Sequence, residues 1–193
     1  MLSDKFRNWT RALSAFIARL LGRLGVPPNA LTVLGYLLHL PVMYELAIGH
    51  LRLGGILLAL ASIFDNLDGS LAREMEQVTI FGAFLDSVTD RFSEGTVLAG
   101  LLLWYVQGGA KVEIVLVYAA LFGSLMVSYT RARAEGVGVA CKEGLFTRFE
   151  RVIVLVAGLI LQQAQLTLWV LAVLTNVTAL QRIYHVWQKT RSR

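Results

Sequence analysis

Six apolar blocks of membrane length restrict what this chain can fold into more than any other feature. A membrane-spanning helix needs about 20 mostly apolar residues, and such blocks cover residues 29–49, 52–73, 78–106, 112–134, 148–163 and 166–187. Only 16% of the residues are charged, whereas a soluble domain usually carries about 25%. Because a bilayer offers no hydrogen-bond partners to the backbone, the sequence predicts an all-α integral membrane protein with six transmembrane helices.

A basic, amphipathic segment precedes the first block. Between residues 3 and 24, apolar side chains recur at helical spacing and the basic side chains fall largely on the other side. This pattern is typical of a helix that lies in the membrane interface, with its basic face toward anionic headgroups. We therefore expect a cytoplasmic juxtamembrane helix within residues 1–26 and a six-helix transmembrane domain over residues 27–193. Any catalytic site is expected in the transmembrane domain, because the sequence has no room for a separate soluble domain.

Lysines and arginines concentrate on one side of the predicted membrane. They cluster before the first block, between the fourth and fifth blocks and after the last, whereas the opposite loops hold only Arg52 and Lys111. Because such residues accumulate in cytoplasmic loops, both termini are predicted to be cytoplasmic, in a protein of the cell membrane. The net charge of +5 is then mainly a topology signal, and nucleic-acid binding is not expected.

Four aspartates occupy the facing polar ends of the second and third blocks. Asp65 and Asp68 are three residues apart, and Asp86 and Asp90 are four apart, so each pair lies on one face of its helix. In an antiparallel hairpin, positions with a constant sum of residue numbers lie at equal depth, which pairs Asp65 with Asp90 and Asp68 with Asp86. The four carboxylates are therefore expected in two layers about 5 Å apart.

This carboxylate cluster needs a compensating cation, because each carboxylate at membrane depth costs at least about 2.5 kcal/mol on insertion scales. Its ligands are all oxygens and include no His or Cys, which favours Mg²⁺, with Mn²⁺ or Ca²⁺ as alternatives, over Zn²⁺. Gly69 and Gly82 remove side chains beside the cluster. They permit either close helix packing or the approach of a ligand to the backbone.

Eight residues around the aspartates match a longer pattern: Asp65, Asp68, Gly69, Ala72, Arg73, Gly82, Asp86 and Asp90. Their spacing, D-x2-D-G-x2-A-R-x8-G-x3-D-x3-D, resembles the signature of the CDP-alcohol phosphotransferases at every fixed position. The wider resemblance covers the whole chain, with its juxtamembrane helix and six spans. It implies transfer of the phosphatidyl group from CDP-diacylglycerol to an alcohol, release of CMP, and a homodimer.

The resemblance also implies roles for individual residues. Asp65, Asp68 and Asp86 would bind Mg²⁺ or Mn²⁺, and Asp90 would accept the proton of the acceptor hydroxyl and contact a second metal. The CDP group would be bound by residues at the entry of the first span and around the motif, namely Asn29, Thr32, Asp68, Gly69, Ala72, Arg73 and Gly82.

A second basic segment, residues 128–152, would lie beside the cytoplasmic mouth of the site. Its charges are explained either by membrane topology alone or by a pocket for a phosphorylated acceptor, because arginine binds phosphate in a bidentate manner. The segment resembles that of the phosphatidylinositol-phosphate synthases within the family, which use inositol 3-phosphate. On that resemblance the acceptor phosphate would be bound by Arg131, Arg151 and Arg182, with Arg131 in place of a lysine.

Several alternatives stay open at this point. Glycerol 3-phosphate, which would give phosphatidylglycerophosphate, needs the same kind of cationic pocket. An archaeal ether-lipid donor would present the same nucleotide to the site. A divalent-cation transporter would also use aspartates at membrane depth, but it leaves Gly69, Ala72 and Arg73 at their spacings unexplained.

Overall fold

The structure, a computed structural model, describes residues 27–74, 78–141 and 144–191, and for residues 66, 68, 70 and 74 it describes the backbone alone. Within these ranges every regular element is an α-helix, and no strand is present. The all-α prediction is therefore confirmed. The juxtamembrane helix predicted within residues 1–26 lies outside the described residues and stays a prediction.

Seven helices make up the described part of the chain, and they follow the predicted apolar blocks. They are α1 (Pro28–Leu37), α2 (His39–Ala47), α3 (Leu51–Glu74), α4 (Ile80–Gln107), α5 (Lys111–Gly136), α6 (Arg148–Ile160) and α7 (Ala164–Arg191). Helices α1 and α2 together fill the first block, and each later helix corresponds to one of the other five blocks.

Three segments of the described chain are long and apolar enough to cross a membrane. They are Pro28–Ala47, which joins α1 and α2, Lys111–Gly136, which is α5, and Ala164–Arg191, which is α7. Large apolar side chains on these segments are exposed, among them Tyr118 and Leu180, as expected of surfaces that face lipid. These features indicate a multi-pass membrane protein. They do not establish the predicted six crossings, because α6, for example, has only 13 residues and a crossing takes about 20.

Leu38 separates α1 from α2. Pro41 has no amide hydrogen and therefore cannot donate to the carbonyl of Leu37, four residues earlier. The helix is interrupted directly after that carbonyl, and the amide of Leu38 still donates to Leu34 O at 3.0 Å. The interruption places Gly35 on the last turn of α1 and His39 on the first turn of α2, one helical turn apart.

Glycines in the left-handed conformation end α2 and α4. Gly49 has a φ of 85° and Gly109 a φ of 68°. In each case the amide of the next residue donates to the carbonyl five residues earlier: His50 to Glu45 at 2.9 Å, and Ala110 to Tyr105 at 3.0 Å. This is the Schellman arrangement, which satisfies the last carbonyls of a helix. Glycine adopts it without steric strain, so the two turns fix where the following helices begin.

The described chain divides into two compact units. The first comprises residues 27–41 and 57–96, which include α1, the end of α3 and the start of α4. The second comprises residues 42–56 and 97–191. All four aspartates of the motif belong to the first unit, and the three arginines predicted to bind an acceptor phosphate belong to the second.

Small residues allow close helix packing in the second unit, where α7 contacts both α5 and α6. Gly123 of α5 has no side chain at the point where Thr175 and Asn176 of α7 approach it. The amide of Asn176 donates a hydrogen bond to the carbonyl of Ala119 at 3.0 Å. Small residues and interhelical hydrogen bonds of this kind are the means by which helices associate in lipid.

Candidate active site

A cavity of about 460 Å³ lies in the first unit, between α1, the end of α3 and the start of α4. This volume falls within the range of about 300–1,000 Å³ that is usual for ligand sites. The cavity is lined by Pro28, Asn29, Thr32, Gly69, Ala72, Arg73, Val78, Thr79, Gly82, Ala83 and Asp86. Six of the seven residues predicted to bind CDP are among them, and the side chain of the seventh, Asp68, lies outside the described set.

The first turn of α4 forms one wall of this cavity. Thr79 is the N-cap of the helix, because its hydroxyl accepts a hydrogen bond from the amide of Gly82 at 2.9 Å. A Cβ atom on Gly82 would lie 3.0 Å from Thr79 Oγ1 and 3.2 Å from Asn29 Oδ1. The glycine therefore lets α1 and the capped end of α4 approach each other, and a helix N-terminus favours an anionic ligand.

Gly69 and Arg73 also line this cavity, one turn apart on α3. A Cβ atom on Gly69 would lie 3.4 Å from Arg73 Nη1, which is an ordinary contact distance. The arginine is exposed, and its guanidinium presents a fixed fork of donors that suits phosphate oxygens. The missing side chain of Gly69 leaves the α3 backbone open to the cavity beside this donor group.

A second, smaller pocket brings the carboxylates together. It is lined by Thr32, Tyr36, Asp65, Asp86, Thr89, Asp90 and Ser93. The side chains of Asp65 and Asp90 are 12% and 14% exposed, whereas Asp86 is exposed. Three of the four predicted metal-binding aspartates therefore line one pocket.

Asp86 and Thr32 line both cavities. The carboxylate pocket is thus directly adjacent to the larger cavity. The carboxylates predicted to hold a metal thus lie next to the cavity that the predicted CDP-binding residues line.

Asp90, the predicted proton acceptor, is in contact with Arg91. Nη1 of Arg91 donates to Asp90 Oδ2 at 3.2 Å and to the carbonyl of Ser87 at 3.1 Å. The second contact ties the guanidinium to the preceding turn of α4. Arg91 therefore holds the Asp90 carboxylate against the helix.

The donor atoms around the smaller pocket match a hard cation, because carboxylate and hydroxyl oxygens are the ligands of Mg²⁺, Mn²⁺ and Ca²⁺. Among the described side chains, no three His, Cys, Asp or Glu residues lie close enough to hold one ion by themselves. The motif assigns a fourth carboxylate, that of Asp68, to this place. The donor set therefore fits a divalent metal in its chemistry, and a full set of ligands would need Asp68 as well.

Three arginines converge in the second unit. Arg151 at the start of α6 and Arg182 in α7 are buried, at 2% and 4% exposed, and Arg131 of α5 is half exposed. Arg131, Arg151 and Glu135 all lie within electrostatic range of Arg182. The structure thus brings together the three residues predicted to bind an acceptor phosphate, and their binding role stays a prediction.

Hydrogen bonds hold each of these guanidinium groups in place. Arg182 donates to the carbonyl of Val127, and Arg151 donates to the carbonyl of Phe146 at 3.4 Å. Arg131 donates to Glu135 Oε1 at 2.9 Å across one turn of α5. Arg131 is the most accessible of the three, so a ligand that approaches from solvent would meet it first.

A family comparison agrees with this arrangement. Residues 26–180 match the model of the family described as CDP-alcohol phosphatidyltransferase. These residues include both cavities and two of the three arginines. The chain belongs to the CDP-alcohol phosphatidyltransferase family. It is therefore a transferase, and the cation-transporter alternative loses its support.

Two relatives within the CDP-alcohol phosphatidyltransferase family are both named as inositol phosphate synthases. The chain is 37% identical to the archaetidylinositol phosphate synthase of Pyrococcus horikoshii, over 87% of both chains. It is 36% identical to the phosphatidylinositol phosphate synthase of Mycobacteroides abscessus, over 88% of this chain and 81% of the relative.

Solved structures of a phosphatidylinositol phosphate synthase are also similar to this chain. The phosphatidylinositol phosphate synthase of Mycobacterium tuberculosis with CDP-DAG bound superimposes with a TM-score of 0.87 at 32% identity, over 91% of this chain and 94% of that one. The same M. tuberculosis enzyme in complex with manganese and citrate gives a TM-score of 0.85, also at 32% identity, over 90% and 88% of the two chains. The fold is therefore that of a membrane-embedded CDP-alcohol phosphatidyltransferase.

Sequence reasoning missed several residues of the carboxylate pocket, namely Tyr36, Thr89 and Ser93. A usable signal was present for two of them, because Thr89 and Ser93 each follow an aspartate of the motif by three residues and so share its helix face. Tyr36 follows Thr32 by four residues on α1, and its ring contacts that of Phe92 edge-on, with 6.1 Å between centroids. Only the packing of α1 against α4 shows that Tyr36 belongs to the site.

Proposed function

We propose that this protein transfers the phosphatidyl group of CDP-diacylglycerol to a hydroxyl of inositol 3-phosphate, with Mg²⁺ as its cofactor and Mn²⁺ as an effective substitute. The observation that carries the proposal is the shared wall of the two cavities. Motif residues line a nucleotide-sized cavity, and Asp86 connects it to a pocket of three carboxylates. The names of the relatives support inositol phosphate as the acceptor.

The proposed reaction is an in-line displacement at the lipid-side phosphorus of CDP-diacylglycerol. The acceptor oxygen forms a bond to that phosphorus, and the bond to the bridging oxygen breaks as CMP leaves with the electron pair. Asp90 takes the proton of the acceptor hydroxyl as general base. Arg73 and the first turn of α4 bind the phosphates of the nucleotide and orient them for the attack.

The metal site of the proposal consists of Asp65, Asp68 and Asp86, with Asp90 bordering a second metal position. A bound divalent metal would neutralise the charge that develops on the pyrophosphate oxygens. Manganese in the related M. tuberculosis structure supports a divalent metal, and the all-oxygen donor set favours Mg²⁺.

The convergence of Arg131, Arg151 and Arg182 supports a phosphorylated acceptor over a neutral one. Arg131 and Arg151 lie within electrostatic range of Arg182, and a doubly charged phosphate would offset the repulsion of their charges on it. Hydrogen bonds to charged groups contribute about 1.5–3 kcal/mol each, enough to separate a phosphorylated polyol from its neutral form. Free inositol is therefore expected to be a poor acceptor.

The relatives differ in the lipid part of their names, phosphatidyl or archaetidyl, but share inositol phosphate. The site of the proposal contacts the nucleotide rather than the tails, so either donor lipid is compatible with it. We further propose six membrane crossings, with both termini and the active site cytoplasmic in the cell membrane. The predicted juxtamembrane helix and homodimer belong to the same proposal.

The deciding experiment follows CMP release by the protein in detergent with Mg²⁺ and CDP-diacylglycerol. Inositol 3-phosphate, glycerol 3-phosphate and free inositol are supplied in turn as acceptors. Turnover with inositol 3-phosphate alone is the expected result. Turnover with glycerol 3-phosphate instead would retain the aspartate chemistry and reject the acceptor assignment.

A matched pair of variants tests the arginine cluster in the same assay. Arg131→Gln removes a cluster member and is expected to raise the KM for inositol 3-phosphate by about 10- to 100-fold, as the loss of one charged hydrogen bond predicts. Arg133→Gln is the control, because it removes an exposed arginine two residues away on the same helix. Equal effects of the two variants would contradict a specific phosphate site.

A further inference from the structure

The Asp65 carboxylate is enclosed by two residues of the helix pair α1 and α2 that no motif singles out. A Cβ atom on Gly35 would lie only 2.6 Å from Asp65 Oδ1. Nε2 of His39 lies 3.8 Å from the other carboxylate oxygen, Oδ2. Gly35 thus lies beside Oδ1 and His39 beside Oδ2, and we refer to Gly35 and His39 together as the Asp65 cradle.

His39 is held rigidly within this cradle. It is 2% exposed, and its Nδ1 lies 2.9 Å from the carbonyl oxygen of Gly35. Because a carbonyl oxygen only accepts hydrogen bonds, Nδ1 is the donor in this contact. The bond fixes the plane of the ring and turns Nε2 toward Asp65. At 3.8 Å, Nε2 is too far from Oδ2 for a direct hydrogen bond, so the ring acts on the carboxylate by its position.

The absence of a side chain at Gly35 sets the position of the carboxylate. The Cα atom of Asp65 would be 3.8 Å from a Cβ on Gly35, which is an ordinary contact, whereas Oδ1 would be far too close. A methyl group at this position would therefore displace the end of the side chain and leave the helix backbones where they are. Gly35 thus controls where the carboxylate lies rather than how the helices pack.

We infer that Gly35 and His39 are positioning residues for the metal site, which fix the orientation of the Asp65 carboxylate and thereby set the affinity for the divalent cation. The inference rests on the proposed function, in which Asp65 is a metal ligand. Groups that orient a ligand side chain typically change metal affinity about 10- to 100-fold when they are replaced. Neither residue is proposed to touch the substrate.

The test measures metal binding directly, by titration of the full-length protein in detergent with Mn²⁺ and detection of unbound Mn²⁺ by electron paramagnetic resonance. Gly35→Ala and His39→Leu are each expected to raise the Kd for Mn²⁺ about 10- to 100-fold. His39→Gln keeps a polar group near the position of Nε2 and is expected to restore most of the affinity. Thermal unfolding without metal is recorded for every variant.

Gly54→Ala is the matched control for crowding. Its Cβ would lie 2.5 Å from Leu46 Cδ2, so it crowds an apolar side chain as closely as Gly35→Ala crowds a carboxylate. We expect it to leave the Kd for Mn²⁺ unchanged, whatever it does to the unfolding temperature.

The outcomes separate the cradle from the metal site itself. Wild-type Mn²⁺ affinity in both Gly35→Ala and His39→Leu, with a normal wild-type titration, would overturn the cradle and leave the proposed function intact. Equal loss of affinity in His39→Leu and His39→Gln would also overturn it, because packing alone would then explain the effect of position 39. Failure of the wild-type protein to bind Mn²⁺ would overturn both the cradle and the metal site.

Discussion

Replacement of Gly69 by alanine separates the demands of the fold from those of the ligand. Among the described residues, a Cβ atom at this position meets only the Arg73 guanidinium, at 3.4 Å or more, so the methyl group fits this part of the protein as it stands. Alanine stabilises a helix interior by about 1 kcal/mol relative to glycine. For a chain of this size the unfolding temperature should therefore be unchanged or raised by about 2–4 °C.

Activity is expected to move in the opposite direction. If the pyrophosphate approaches the α3 backbone at Gly69, the methyl group displaces it by about 1 Å. A misplacement of that size costs about 10²-fold, or about 2.7 kcal/mol in the free energy of the transition state. The loss should appear in kcat/KM for CDP-diacylglycerol and in a weaker Kd for the same lipid, and not in the KM for the acceptor.

The assay is CMP release under conditions of limiting CDP-diacylglycerol, combined with thermal unfolding. Gly136→Ala is the control, because a Cβ atom at this last residue of α5 meets no described residue within 4 Å. It should leave kcat/KM unchanged. Wild-type kcat/KM in Gly69→Ala would refute the argument, since it would show that no ligand approaches the backbone at this glycine.

Two further predictions concern the base and the topology. Asp90→Asn keeps the shape of the side chain and removes its ability to accept a proton, so turnover should fall at least about 10²-fold. Binding of CDP-diacylglycerol, measured by calorimetry, should survive. Near-normal turnover would exclude Asp90 as the base. In a Cys141→Ser background, a membrane-impermeant maleimide applied to intact cells should label Lys111→Cys and spare Arg133→Cys, as the distribution of positive charge predicts. The reverse labelling pattern would show that the proposed orientation is wrong.

Much of the site follows from local sequence, because its residues are close together along helices. Asp86 and Asp90 share a face of α4 by spacing alone, and Gly69 and Arg73 share a face of α3 in the same way. It was therefore predictable that Gly69 and Arg73 line one cavity and that Asp86 and Asp90 line one pocket. The pairing of the two helices followed from an antiparallel hairpin, in which Asp65 and Asp90 are expected at one depth and Asp68 and Asp86 at another.

The arginine cluster shows where a sequence argument depends on resemblance. Arg131, Arg151 and Arg182 are separated by 20 or more residues and lie on three different helices. Positive-inside topology explains them equally well in the sequence, as charges near a cytoplasmic surface. Burial of Arg151 and Arg182, which are 2% and 4% exposed, distinguishes them from ordinary topology signals, because a buried guanidinium needs partners that hold it.

The sequence by itself determined the all-helical architecture, the approximate bounds of the apolar blocks and the carboxylate motif, because each depends on composition or on spacing along one helix. Only the tertiary structure decided which other residues reach the site. Gly35, Tyr36 and His39 carry no recognisable pattern, and they contact Asp65 or its pocket only because α1 and the first turn of α2 pack against α3 and α4. Contacts between residues distant in the chain depend on how helices pack against each other, and local periodicity contains no information about that packing.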